Sequence, residues 1–126
     1  MFSIKVEGGF SSAHNLRGYK GKCEELHGHN WRVEAEVISK KLDKAGMVLD
    51  FHYLKSKLNS ILDRLDHKYL NKIPSFKKLN PTSENIARYI YNSLDKSLKP
   101  KSNPAIKLNS VTVWESDKSS ATYYGA

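Results

Sequence analysis

The sequence predicts an α+β domain: an antiparallel four-stranded sheet with two helices packed on one face, in the order ββααββ. Three observations carry this expectation. Apolar and polar residues alternate near both ends of the chain. In the middle, apolar residues recur at helical spacing. Asp50 and the run Pro81-Thr82-Ser83-Glu84 read as two helix starts.

The first strand rests on Phe2, Ile4 and Val6, interleaved with Ser3, Lys5 and Glu7. Gly8 and Gly9 interrupt it, which predicts a bulge. The same parity resumes at Phe10, Ser12 and His14. A Gly- and Lys-rich loop follows from Asn15 to Glu25. The second strand has Trp31, Val33, Ala35 and Val37 on one face and Arg32, Glu34 and Glu36 on the other, and should pair antiparallel with the first. Asp50 is a fitting N-cap. After it Phe51, Leu54, Leu58, Ile61, Leu62 and Leu65 form a helical stripe ending near Asp66 and His67. A polar loop with Pro74 precedes a second helix, capped by Thr82 or Ser83, with Ile86, Ile90 and Leu94 as its stripe. Lysines suit that helix's C-terminal end and Pro100 stops it. Two last strands fit Ser110–Ser116 and Thr122–Tyr124, joined by a polar turn at Asp117–Ser119.

The chain has 126 residues, a length expected to form one domain over 1–126. The apolar fraction of 39% and charged fraction of 27% are ordinary for a folded chain. No apolar run is long enough for a membrane span, and Met1–Gly9 carries no leader pattern. A soluble, cytoplasmic protein is the expectation. The single cysteine, Cys23, excludes an intrachain disulfide. The net charge of +8 comes from lysines spread along the chain. No dense basic block with interleaved aromatics appears, so neither a nucleic-acid nor a membrane partner is expected.

His27-Gly28-His29 is the most informative tripeptide. Residues i and i+2 of a strand share a face. Both histidines have the parity of Trp31 and Val33, the face that becomes core. Antiparallel pairing brings His14, at the end of the first strand, beside them. Three neutral imidazoles make a zinc site whose missing fourth protein ligand leaves room for water or substrate, whereas structural sites are normally closed by four ligands rich in cysteine. The alternative is three unrelated surface or turn histidines.

Taken together, the motifs resemble the 6-pyruvoyltetrahydropterin synthase / 6-carboxytetrahydropterin synthase superfamily. The resemblance runs through Phe10-Ser11-Ser12-Ala13-His14, Cys23-x-x-x-His27-Gly28-His29-Asn30, Met47-Val48-Leu49-Asp50-Phe51, Leu65-Asp66-His67-x-x-Leu70-Asn71, Asn80-Pro81-Thr82-Ser83-Glu84-Asn85 and Val113-Trp114-Glu115-Ser116. It covers nearly the whole chain in order. The three residues between Cys23 and His27 look like the carboxy branch.

The resemblance implies the tunnelling fold, or T-fold, whose units join by sheet edges into trimeric barrels that stack as hexamers. It implies one Zn2+ per subunit and a pterin triphosphate substrate, 7,8-dihydroneopterin triphosphate. The carboxy branch yields 6-carboxy-5,6,7,8-tetrahydropterin, acetaldehyde and triphosphate, on the way to queuosine; the pyruvoyl branch eliminates triphosphate only. It implies His14, His27 and His29 as metal ligands. Cys23 would be the base, as a thiolate with a lowered pKa, with a buried structural cysteine as the alternative. Asp66 and His67 would form a proton-relay pair, or a helix C-terminus with a favourable histidine. Glu115 would anchor the pterin and join the relay, and Thr82 and Ser83 would bind the ring or cap the helix. His52 has no motif role and reads as a surface residue.

Overall fold

In the computed structural model, which describes residues 1–18 and 25–125, four strands form one antiparallel sheet in the order β1-β2-β3-β4. The strands are β1 (Phe2–His14), β2 (His27–Ser39), β3 (Lys107–Ser116) and β4 (Ser119–Tyr124). Helices α1 (Phe51–Asp63) and α2 (Ser83–Ser97) lie between β2 and β3 in sequence. Both pack on one face of the sheet, α1 over β1 and α2 over β3 and β4. No described helix is long and apolar enough to cross a membrane.

Strand parity decides which face is core. Val6, Phe10 and Trp31, Val33, Ala35, Val37 are buried beneath the helices, while the alternate residues carry a polar outer face, including a 3.3 Å contact from Arg32 to Glu7. On β3 the register shifts opposite Glu36 and Val37. That shift lets both Leu108 and Val111 face inward.

The expected bulge at Gly8 and Gly9 is absent. Phe2↔Ser39 through His14↔His27 pair without a register shift. Gly8 serves packing instead: a Cβ there would lie 2.8 Å from Leu62 Cδ1 and 3.0 Å from Asn59 Oδ1. The strand interrupts its apolar pattern because α1 approaches its backbone.

Asp50 caps α1, accepting from the His52 N–H at 2.8 Å. Leu54, Leu58, Ile61 and Leu62 are its buried face, each contributing about 1.5–3 kcal/mol by leaving water. Phe51, expected in that stripe, is 58% exposed, because it stands at the first turn beyond the sheet's cover. The helix ends at Asp63, earlier than expected, and Leu65 is buried from the turn that follows. His67 has φ 53°, a left-handed conformation that ends helical continuation. The loop around Pro74 is more ordered than its polarity suggested. Two 3-10 turns, Leu70–Lys72 and Pro74–Phe76, bury Leu70, Asn71 and Phe76. β3 and β4 each begin three residues before their expected starts, at Lys107 and Ser119, because strand pairing already includes Lys107 and Leu108 on β3 and Ser119 to Ala121 on β4.

Candidate metal centre and active site

The β1–β2 register places His14 directly opposite His27 and Ser12 opposite His29. All three imidazoles stand on the core face at the open end of the sheet. Trp31, 1% exposed, forms the floor, with its ring centroid 4.9 Å from that of His14 and 5.1 Å from that of His29.

The second ring nitrogens decide the chemistry. His14 Nδ1 lies 2.7 Å from the Pro81 carbonyl, and His27 Nδ1 lies 2.7 Å from the Glu25 carbonyl. A carbonyl has no proton to give, so each Nδ1 donates and each neutral ring presents a bare lone pair at Nε2. Those two Nε2 atoms are 3.1 Å apart. Lone pair against lone pair is repulsive unless a cation or a proton lies between. Burial pushes His14 below its ordinary range, against the Pro81 carbonyl, and also lowers His29, against the pull of Glu115. Extra protons are therefore disfavoured, and a metal ion is the fitting occupant. Two nitrogens each about 2.0–2.1 Å from one tetrahedral zinc ion stand about 3.3 Å apart, close to the observed spacing.

His29 strengthens the assignment. Its Nε2 is buried and makes no hydrogen bond. Glu115 Oε1 approaches to 3.0 Å but lies outside the angular range for one. Candidate ligand atoms from His14, His27, His29 and Glu115 all lie within 4.8 Å of one another. Three imidazoles and a carboxylate are a donor set fit for a metal ion.

Glu115 shares the parity of the buried Val111 and Val113, so strand alternation aims it at the core face where the histidines stand. The β3–β4 register shifts between Trp114 and Ser116, leaving Glu115 as the extra residue. Its other carboxylate oxygen is 3.4 Å from the donating Ser83 Oγ. Thr82, not Ser83, caps α2, accepting from the Asn85 N–H at 3.1 Å. The two hydroxyls at this helix start thus have different jobs. Glu115, expected to anchor the pterin and join the relay, thus stands between His29 and Ser83.

Asp66 and His67 are not at this cluster. The Asp66 carboxylate accepts from the Ser11 N–H at 2.8 Å and lies 2.9 Å from His67 Nδ1. The Ser11 backbone bond, chiefly, and the His67 contact hold its carboxyl below the usual range. The segment continues along the outer edge of β1, with the His67 N–H donating to Ser11 O at 2.6 Å and the Ala13 N–H to Lys68 O at 3.0 Å. Ser11 faces away from the histidines, and the His67 side chain is 83% exposed. Cys23, with Lys20 and Lys22, lies outside the described residues. His52 is exposed, as expected.

Sequence reasoning missed Asn80 and Asn71 as structural partners of the site. Asn80 Oδ1 accepts from the Arg17 N–H at 2.9 Å and its Nδ2 donates to Arg17 O at 2.8 Å. Asn71 treats Asn15 in the same way, at 3.0 and 2.9 Å. Their place in the motifs Leu65-Asp66-His67-x-x-Leu70-Asn71 and Asn80-Pro81-Thr82-Ser83-Glu84-Asn85 was the signal that could have found them.

Comparison with known proteins agrees with this geometry. The family model for 6-pyruvoyl tetrahydropterin synthase matches residues 3–126. A Synechocystis relative named 6-carboxy-5,6,7,8-tetrahydropterin synthase is 39% identical, over 98% of this chain and 94% of its own. One of the same name from Haemophilus influenzae is 34% identical, over 98% and 99%. The solved structure of Caenorhabditis elegans 6-pyruvoyl tetrahydropterin synthase superposes with a TM-score of 0.86 at 32% identity, over 99% of this chain and 96% of the other. Sheet, helices and element order are those of the T-fold. The chain belongs to the 6-pyruvoyl tetrahydropterin synthase family.

Proposed function

We propose that the chain is a zinc-dependent 6-carboxy-5,6,7,8-tetrahydropterin synthase, converting 7,8-dihydroneopterin triphosphate to 6-carboxy-5,6,7,8-tetrahydropterin, acetaldehyde and triphosphate. The observation that carries the reading is the pair of bare imidazole nitrogens 3.1 Å apart. The Cys23-x-x-x-His27-Gly28-His29 spacing and the names of the Synechocystis and Haemophilus relatives support the carboxy product. That product belongs to the route to 7-deazaguanine nucleosides such as queuosine.

Zinc at this centre supplies Lewis-acid stabilisation of negative charge on the substrate's side-chain oxygens. His14, His27 and His29 would hold it through their ring nitrogens. Cys23 takes a proton as thiolate. Glu115 accepts the pterin's ring and amino N–H groups in bidentate fashion, with Ser83 holding one oxygen. Thr82 still has a hydroxyl proton to donate. In the relay pair, Asp66 orients His67 and stabilises its protonated form. The pair's contacts stay on the outer edge of β1, so in this reading it serves a neighbouring chain's site. That requires a homo-oligomer; we assign a cytoplasmic hexamer built as a dimer of trimers through the sheet edges.

A second reading, the 6-pyruvoyl product, draws on the name of the Caenorhabditis elegans protein. Incubation with dihydroneopterin triphosphate separates the two. Release of acetaldehyde with the 6-carboxy product is expected; a pyruvoyl product without acetaldehyde overturns the first reading.

A further inference from the structure

His14 is the most buried of the three histidines, at 1% exposed. Its tautomer depends on one contact, the Pro81 carbonyl at Nδ1. Proline has no N–H with which to anchor its own backbone. The position of that carbonyl must therefore be set by neighbours. On the C-terminal side, Thr82 caps α2. On the N-terminal side, the Asn80 carbonyl accepts from Asn85 Nδ2 at 2.9 Å.

The Asn80 side chain adds a tie to a distant segment. Its amide accepts the Arg17 N–H and donates to the Arg17 carbonyl, the two bonds that a neighbouring strand would make. Arg17 is itself fixed at its far end, where its guanidinium donates to Phe76 O at 2.5 Å and Leu79 O at 3.0 Å. Asn71 clamps Asn15 by the same pair of bonds. Alternate residues of the chain leaving His14 are thus pinned by side-chain amides. Only Asn80 is also bonded covalently to the residue whose carbonyl orients His14.

We infer that Asn80 is a positioning residue for the metal centre. By locking onto the Arg17 backbone it keeps the Pro81 carbonyl on His14 Nδ1 and so keeps Nε2 bare for the ion. This rests on the metal reading above. Without the amide the Thr82 cap and the Asn85 bond hold the carbonyl less closely, and His14 spends time with its proton on Nε2, where it cannot ligate. Loss of such an outer partner weakens metal binding by about 10- to 100-fold.

Asn103 provides the control. It is 4% exposed, and its amide joins the Lys41 and Val48 carbonyls at 2.9 and 3.0 Å, at the opposite end of β2. Zinc is titrated against a chromophoric chelator on the parent chain, Asn80→Ala, Asn80→Asp and Asn103→Ala. Nitrogen-15 spectra of the metal-free proteins report the His14 tautomer, and urea unfolding reports stability. Asn80→Ala is expected to bind zinc about 10- to 100-fold more weakly and to show mixed tautomers. Asn103→Ala is expected to lose stability but keep parental affinity. Asn80→Asp, which retains the acceptor for the Arg17 N–H, falls between. Parental affinity in Asn80→Ala, or equal weakening in Asn103→Ala, overturns the inference. Should Asn80→Ala not fold, parental affinity and tautomer in Asn80→Asp overturn it. A parent chain that binds no zinc defeats the metal reading instead; an unchanged His14 tautomer in the metal-free Asn80 variants then decides against Asn80 separately.

Discussion

Gly8→Ala tests how closely α1 is seated on β1. An added Cβ would stand 2.8 Å from Leu62 Cδ1, 3.0 Å from Asn59 Oδ1 and 3.7 Å from Leu58 Cδ2. Carbon–carbon contacts relax near 3.5–4.0 Å, so Leu62 must retreat by about 1 Å. Asn59 is exposed and can swing away, but Leu62 is 2% exposed and packed in the core cluster. Overpacking of this kind costs about 1–3 kcal/mol. Alanine in a strand recovers about 0.5–1 kcal/mol relative to glycine. The net expectation is a loss of about 1–2 kcal/mol, or a fall of roughly 3–8 °C in Tm for a domain this size. Thermal and urea unfolding with zinc chelated away measure it without metal linkage. A double-mutant cycle assigns the cause. In a Leu62→Ala background the clash is gone, so Gly8→Ala should become neutral or stabilising, a coupling of at least about 1 kcal/mol. A single variant as stable as the parent, or additive effects in the cycle, refutes the close-approach account.

Three further expectations concern the site. Burial lowers His14 and His29 in the folded chain, so the unfolded chain binds protons more readily. Metal-free stability should therefore be full above the unfolded histidine pKa of about 6.5 and fall as pH drops through that value toward the lowered folded ones; urea midpoints that stay flat from pH 7.5 to 5 in the parent, or that fall just as much in His14→Ala, contradict this. Glu115→Gln keeps the shape and removes the charge, so zinc affinity should hold while kcat/KM for the pterin falls by about 100-fold; lost zinc with unchanged KM would make the carboxylate a fourth ligand. His27→Ala and His67→Ala should each be inactive alone, yet random mixed oligomers should regain activity at about one quarter of their sites if the pair serves a neighbouring chain. Mixing without recovery places both groups in one chain's site.

The strand parities were legible because burial on one face of a sheet imposes period two, and that alone put His14, His27 and His29 on a common face. The caps were legible because Asp50 and Thr82 satisfy N–H groups two or three residues away. The role of Gly8 was not legible. A glycine in a strand reads alike whether its conformation or its neighbour requires it, and the neighbour lies more than fifty residues on. The same holds for Phe76, buried from a stretch whose local composition is polar.

By itself the sequence determined what depends on near neighbours: element order, the two helix starts, the core face and the three ligand candidates. The tertiary structure decided what depends on groups far apart in the chain. The Pro81 carbonyl reaches His14 across sixty-seven positions, fixing the proton that leaves Nε2 bare. The pairing of β2 with β3 brings the Glu115 carboxylate to 3.0 Å from His29. Asp66 and His67 go to the outer edge of β1 because the Asp66 carboxylate and the His67 N–H bond to the Ser11 backbone. Each is a hydrogen-bonding choice between distant partners, and no local pattern encodes it.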